Sequence, residues 1–148
     1  MPKIEGFFIV KKDSMINKIE HLGIAVKNIE EAQKMYEALL GKSSYKTEVV
    51  ESEGVKTMFF QLGESKIELL EATNVNSPIA KFIDKKGEGI HHIAYDVNDI
   101  ESEIQRLQQS GFELIHKEAK EGADNKLIAF LHPKSTGGVL VELCQERE

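Results

Sequence analysis

Four side chains of this sequence belong to types that bind metal ions, and they occur as two pairs with similar spacing. His21 and Glu68 are 47 residues apart, and His92 and Glu142 are 50 residues apart. The sequence segment around His21 is repeated in similar form 71 residues later, around His92. Imidazole and carboxylate groups together suit a borderline divalent ion such as Co2+, Ni2+, Mn2+ or Zn2+. The pattern therefore predicts one metal site that two copies of a single unit build together.

Apolar residues alternate with small or polar residues around these four positions. This alternation predicts that the four residues lie in strands and that both histidines lie on the strand face opposite the apolar one. His21 shares a strand face with small residues, and so does His92. His91 falls on the other face, and its replacement is expected to leave most of the metal bound. Glu142 lies between apolar neighbours, where a buried carboxylate is costly unless it is paired, hydrogen-bonded or bound to a metal. Lone strand histidines are more often structural than ligands, and we interpret in that way His91, His116 and His132.

Each copy of the unit is predicted to contain a strand, a helix and three further strands. The first long helix follows the N-cap residue Asn28 and ends before Gly41, and the second follows Asp99 and ends before Gly111. A short helix is expected over 79–85. The other strands are expected at 45–51, 57–62 and 66–71 in the first copy, and at 112–117, 126–131 and 139–144 in the second. A sheet of about four strands needs a partner to cover it, so the copies are expected to pair.

Composition excludes several classes of function. The net charge of −6 and the lack of a basic stripe argue against nucleic-acid binding. No apolar run approaches the roughly 20 residues of a membrane span. The single cysteine, Cys144, cannot form an internal disulfide and indicates a reducing compartment, so we expect a cytoplasmic protein. Residues 1–14 precede a second methionine, Met15, and are interpreted as an N-terminal extension or cloning remnant outside a single domain over 15–148.

From about Ile19 to its end the sequence resembles the methylmalonyl-CoA epimerases of the vicinal oxygen chelate superfamily, to which the glyoxalases also belong. The matching segments are 21–26, 77–82, 87–94 and 130–143. The first is common across the superfamily, whereas the last, with its His-Pro-Lys-Ser loop, is more specific to epimerases. The resemblance implies an α+β fold in which two tandem βαβββ modules, about 18–85 and 86–148, form a curved eight-stranded mixed sheet. It also implies a homodimer and an acyl-CoA substrate.

The resemblance further implies a metal-dependent epimerase that interconverts (2R)- and (2S)-methylmalonyl-CoA. The metal ligands of the family fall on His21, His92 and Glu142, and a fourth ligand, Gln in some members, falls on Glu68. Co2+ is the ion expected first, with Mn2+, Ni2+ or Zn2+ as alternatives. The metal would stabilise the enolate that forms when the C2 proton is removed.

Inversion at C2 calls for an acid–base group on each side of the planar enolate. Glu142 is implied as one of them, in addition to its role as a ligand. Some family members have a glutamate at the position of Thr57, which cannot act as that base at neutral pH. Lys126, Glu53 or a metal-bound water could replace it, and the sequence does not choose among them.

The loop before the last strand is predicted to bind the free carboxylate of the substrate. Its hydroxyl and backbone N–H groups are donors to an anion, and its lysine adds a positive charge. The predicted substrate-binding residues are Lys134, Ser135, Thr136 and Gly137.

Two other functions use related sites. A glyoxalase I-type isomerase of glutathione hemithioacetals would use the same two histidines and two glutamates, and Glu68 in place of Gln suits it. A non-catalytic binding protein, such as one that sequesters an antibiotic, has no need of the four ligands. Ring-cleaving dioxygenases of the superfamily are typically larger.

Overall fold

The computed structural model describes residues 15–147 and, before them, only the backbone of two short strands. These strands, β1 (Lys3–Ile4) and β2 (Phe7–Phe8), pair antiparallel. The rest of the segment interpreted as an extension, 1–14, lies outside the described residues. Among the residues that are described, no helix has the length and apolar character needed to cross a membrane.

Eight further strands form one mixed sheet in the order β4-β5-β6-β3-β7-β10-β9-β8. The pair β3 and β6 is parallel, whereas β4–β5, β5–β6, β8–β9 and β9–β10 are antiparallel. The predicted eight-stranded mixed sheet is therefore confirmed. The strands are β3 (Ile16–Ala25), β4 (Lys46–Val50), β5 (Val55–Leu62), β6 (Ser65–Ala72), β7 (Gly89–Val97), β8 (Lys120–Glu121), β9 (Lys126–Leu131) and β10 (Val141–Glu146).

Within residues 15–147, three α-helices and two 3₁₀ turns accompany the strands. Both long helices begin after the predicted caps, because the side chains of Asn28 and Asp99 accept hydrogen bonds from backbone N–H groups of the first turn. The bounds are α1 (Ile29–Leu40), α2 (Pro78–Lys86) and α3 (Ile100–Gln109), with 3₁₀ turns at Glu51–Glu53 and Pro133–Ser135.

Residues 19–93 form one compact unit, in which α1 and α2 pack on opposite faces of the strands. The cluster under α1 contains Leu69 with Ile29, and the cluster under α2 contains Leu70 with Ile79. Successive residues of a strand point to opposite faces. Glu68, two residues before Leu70, therefore lies on the α2 face of β6.

Residues 15–18 and 94–147 form a second compact unit around α3. The apolar cluster beneath α3 contains Ile100, Ile104 and Leu143. Glu103 is fully buried there and accepts two hydrogen bonds of 2.8 Å from Arg106. This ion pair lets one carboxylate of α3 face the core.

One predicted strand, 112–117, is wrong. Leu114 forms only an isolated bridge to Leu131, and the chain pairs with β9 again at Lys120, opposite Ile128. The five residues 115–119 thus lie opposite only two residues of β9, so they cannot continue the ladder and bulge away from it.

Candidate metal centre

The imidazole rings of His21 and His92 converge in the first unit. Their Nε2 atoms are 3.0 Å apart, the rings meet edge to face, and the side chains are buried. Two nitrogen ligands about 2.0–2.1 Å from one ion, at angles near the tetrahedral or octahedral value, would themselves be separated by about 3 Å. Both histidines also belong to a group of buried side chains that could hold a metal ion. The spacing therefore fits two ligands of a single ion.

Glu68 reaches the opposite edge of the His21 ring. Its Oε2 lies 3.0 Å from Nδ1 of His21, whereas His92 contacts Nε2. In the parallel β3–β6 ladder Glu68 pairs with Gly23, two residues after His21 and on the same face. The glutamate that the sequence pairs with His21 is therefore in contact with it.

Glu20 is a site residue that the sequence reasoning missed. Its Oε1 lies 2.7 Å from Nδ1 of His21 and its Oε2 lies 3.0 Å from Nζ of Lys66. Burial opposes ionisation of Glu20, but the hydrogen bonds from His21 and Lys66 outweigh this and lower the pKa of Glu20 to about 2. Strict alternation placed Glu20 opposite to His21. The signal available in the sequence was a glutamate directly before a candidate ligand.

His91 also contacts the centre, although alternation placed it on the other strand face. Its Nδ1 lies 2.9 Å from Nδ1 of His92, and its ring packs edge to face on Phe82 of α2. His92 therefore has a partner at each ring nitrogen, His21 at Nε2 and His91 at Nδ1.

Glu142 lies in the second unit, on β10 opposite Phe130 of β9. Only 5% of its surface is exposed, and the neighbouring Leu143 and Cys144 are fully buried on the two faces of the strand. The prediction of a buried carboxylate between apolar neighbours is confirmed.

The loop after β9 is shaped by its own hydroxyl groups. The Ser135 hydroxyl donates to the carbonyl of His132 and accepts from the N–H of Glu113, and the Thr136 hydroxyl donates to the carbonyl of Val139. Lys134 is exposed, and its backbone N–H donates to Nδ1 of His132. The hydroxyl protons predicted for substrate binding thus hold the loop together in this structure.

Thr57 is buried and pairs directly with Glu48 of the neighbouring strand. Phe59, two residues after Thr57, pairs with Glu68. Because register partners share a face, Glu48 lies on the same face of the sheet as Glu68. Nζ of Lys46 is 3.1 Å from Oε1 of Glu48, and the Glu48 side chain is 30% exposed. Glu48 is a carboxylate on this face that the sequence reasoning did not consider.

Comparison with known proteins places this geometry in a family. Residues 20–130 match the Glyoxalase/Bleomycin resistance protein/Dioxygenase superfamily. The ethylmalonyl-CoA/methylmalonyl-CoA epimerase of Cereibacter sphaeroides is 41% identical over 88% of this chain and 99% of its own. The methylmalonyl-CoA epimerase of Mycobacterium tuberculosis is 32% identical, with a TM-score of 0.88 over 95% of each chain. A methylmalonyl-CoA epimerase solved in complex with methylmalonyl-CoA and NH4+ is 33% identical, with a TM-score of 0.85 over 88% of this chain and 95% of its own. The chain belongs to the Glyoxalase/Bleomycin resistance protein/Dioxygenase superfamily.

Proposed function

We propose that this protein is a methylmalonyl-CoA epimerase, an isomerase that interconverts the two C2 epimers of its acyl-CoA substrate. The observation that carries the proposal is the pair of buried histidines whose Nε2 atoms converge to 3.0 Å. It is supported by relatives of that name and by the relative solved with methylmalonyl-CoA.

The proposed ligands are His21, Glu68, His92 and Glu142, which would hold one divalent ion. The donor set of two imidazoles and two carboxylates suits Co2+, which we propose first, or Mn2+, Ni2+ or Zn2+. When bound, the ion supplies a positive charge that stabilises the enolate as it forms. Burial of all four side chains excludes water and strengthens this electrostatic effect.

The proposed proton carriers are Glu142 and Glu48. Removal of the C2 proton by one carboxylate leaves a planar enolate, and protonation from the other side inverts the centre. Glu48 is proposed as the second proton carrier. The hydroxyl of Thr57 is not a base at neutral pH, and Glu48 is the carboxylate that pairs with Thr57 on the neighbouring strand. Lys126, Glu53 and a metal-bound water are the alternatives that the sequence leaves open. Lys126 is buried on β9 and Glu53 lies in a 3₁₀ turn, whereas Glu48 lies on the sheet face of Glu68.

The loop after β9 is proposed to hold the free carboxylate of the substrate. Lys134 supplies a positive charge, and Gly137, with φ of 68°, shapes a turn in which the N–H groups of Ser135, Thr136 and Gly138 donate to carbonyls of the loop. The hydroxyls of Ser135 and Thr136 fix this conformation through their bonds within the loop.

Two further parts of the proposal concern assembly and location. We infer a homodimer from the resemblance to the epimerases. A cytoplasmic location agrees with Cys144, which is buried and has no second cysteine in the sequence with which to form a disulfide.

Proton exchange at C2 is the test of the proposal. Metal-loaded protein incubated with one epimer of methylmalonyl-CoA in deuterated water should exchange the C2 proton and form the other epimer. The alternative function is that of a glyoxalase I-type isomerase, which Glu68 suits better than the Gln expected in some epimerases. Isomerisation of the hemithioacetal of methylglyoxal and glutathione, without exchange at C2, would replace the epimerase proposal with that one. Neither reaction with full metal occupancy would favour a binding protein.

A further inference from the structure

The two ring nitrogens of His21 meet different kinds of partner. Nε2 lies 3.0 Å from Nε2 of His92, whereas Nδ1 lies 2.7 Å from a carboxylate oxygen of Glu20 and 3.0 Å from one of Glu68. An ionised carboxylate can only accept a hydrogen bond, so Nδ1 must carry the proton. The lone pair of a neutral His21 is then on Nε2, the nitrogen that faces His92.

Glu20 is the better fixed of the two carboxylates. Its contact with Nδ1 is shorter than that of Glu68, in the range of a charge-assisted hydrogen bond. Its other oxygen lies 3.0 Å from Nζ of Lys66, whose side chain is 12% exposed. Lys66 is the register partner of His21 in the β3–β6 ladder, so the sheet itself places the ammonium group beside the pair.

We propose that Glu20 is the positioning residue of His21 and that Lys66 holds Glu20 in place. The inference rests on the proposed metal centre and deepens it. Glu20 fixes the tautomer and the ring plane of His21. Outer partners of this kind typically contribute about 10- to 100-fold to metal affinity.

The test measures tautomer and metal affinity separately. In metal-free protein, two-bond nitrogen–proton correlation spectra should show that Nδ1 of His21 is protonated and Nε2 is not. In Glu20→Leu the Nε2–H tautomer should become populated. The affinity for Co2+, measured by competition with a chelator, should fall about 10- to 100-fold. Glu20→Gln keeps an acceptor oxygen and should lose less, and Lys66→Met should lie between Glu20→Gln and the wild type.

Glu71→Gln is the matched control, because it neutralises a carboxylate on β6 that accepts a hydrogen bond from the N–H of Ile29 at the start of α1. This variant should keep wild-type Co2+ affinity. If Glu20→Leu and Glu20→Gln both keep the Nδ1–H tautomer and bind Co2+ within about twofold of the wild type, Glu68 alone positions His21 and the inference is wrong. If Glu20→Leu does not fold, Glu20→Gln and Lys66→Met decide the question.

Failure of the proposed function gives a different result. A wild-type protein that binds Co2+ but leaves methylmalonyl-CoA unchanged contradicts the epimerase, while the affinities of the variants still report on Glu20. A wild-type protein that binds no divalent ion contradicts the metal centre. In that case the His21 spectra of the metal-free variants still decide the tautomer, and an Nε2–H tautomer in the wild type overturns the role of Glu20.

Discussion

The ring of His92 occupies the space where a side chain of residue 23 would be. A Cβ added to Gly23 would lie 2.2 Å from Cε1 of His92, 2.5 Å from Nδ1 and 2.7 Å from Nε2. Gly23 is not among the glycines with positive φ, so it is needed for space rather than for backbone freedom. A larger residue at position 23 therefore cannot be accommodated unless the ring of His92 moves.

Gly23→Ala should therefore displace the His92 ring and weaken metal binding, on the order of tenfold or more, because ligand geometry is held by such contacts. Equilibrium dialysis with Co2+ would measure the loss. Gly41→Ala is the control. Gly41 has open space around it but a left-handed φ of 69°, so alanine there should lower the free energy of unfolding by about 1–2 kcal/mol without changing Co2+ affinity. If Gly23→Ala binds Co2+ as tightly as Gly41→Ala does, the steric role of Gly23 is contradicted.

Capping residues and the alternation of apolar and polar residues predicted most of the helices and strands. They also predicted which face of its strand each proposed metal ligand occupies. Asn28 and Asp99 mark the starts of both long helices, because their side chains accept hydrogen bonds from the N–H groups of the first turn and an apolar repeat of helical spacing follows each of them. The missing strand at 112–117 depends on how β9 pairs, which local sequence does not encode.

Alternation failed for Glu20 and His91, and the reason is the same for both. Each lies beside a ligand in the chain, and a strand places neighbouring side chains on opposite faces. A hydrogen bond to the adjacent ring brings Glu20 back to His21, and His91 back to His92. Such contacts depend on rotamers and on neighbours such as Lys66 and Phe82, which only the folded structure shows.

His91→Ala should consequently weaken Co2+ binding several-fold, whereas the alternation pattern predicted that most of the metal would remain. The variant removes the partner of Nδ1 in His92, and outer partners orient ligand rings. His92→Ala, which removes a proposed ligand, should abolish tight binding. Both affinities can be measured by chelator competition. Wild-type affinity in His91→Ala would restore the structural interpretation of that residue.

Arg106→Met should destabilise the second unit strongly, by about 3–5 kcal/mol, because it removes the guanidinium group that contacts the fully buried carboxylate of Glu103. Urea unfolding of the metal-free protein would measure the change. The double variant Glu103→Leu with Arg106→Met removes both charges and should recover much of the loss. A single variant as stable as the wild type would show that Glu103 does not depend on the ion pair.

Lys134→Gln should raise KM for methylmalonyl-CoA by about tenfold and change kcat less, since it removes a charge proposed to bind the free carboxylate. Ser135→Ala should act differently. It breaks the bonds to the His132 carbonyl and the Glu113 N–H, so it should loosen the loop and lower kcat as well as raise KM. Steady-state kinetics with each variant separates the two effects, and an unchanged KM in Lys134→Gln would remove that residue from the binding site.

The two proposed proton carriers should be separable by isotope exchange, since each would serve one epimer. Glu142→Gln and Glu48→Gln keep the side-chain shape and remove the basic carboxylate. Each should lower epimerisation by about 10²- to 10⁴-fold. In deuterated water, however, each variant should still exchange the C2 proton of one epimer. The epimer that Glu142→Gln still exchanges should be the one that Glu48→Gln no longer exchanges. Glu142→Gln should also lose part of its Co2+ affinity, whereas Glu48→Gln should keep it.

Glu53→Gln is the matched control for the exchange experiment, because Glu53 lies on the 3₁₀ turn that follows β4 rather than in the ladder opposite Thr57. It should exchange both epimers at the wild-type rate. If Glu48→Gln behaves in the same way, Glu48 is not the second carrier, and Lys126→Met becomes the next variant to measure. If Glu48→Gln loses exchange with both epimers, the carboxylate acts in substrate binding. Only exchange confined to one epimer supports proton transfer by Glu48, since a residue that merely binds the substrate has no reason to distinguish the two faces of C2.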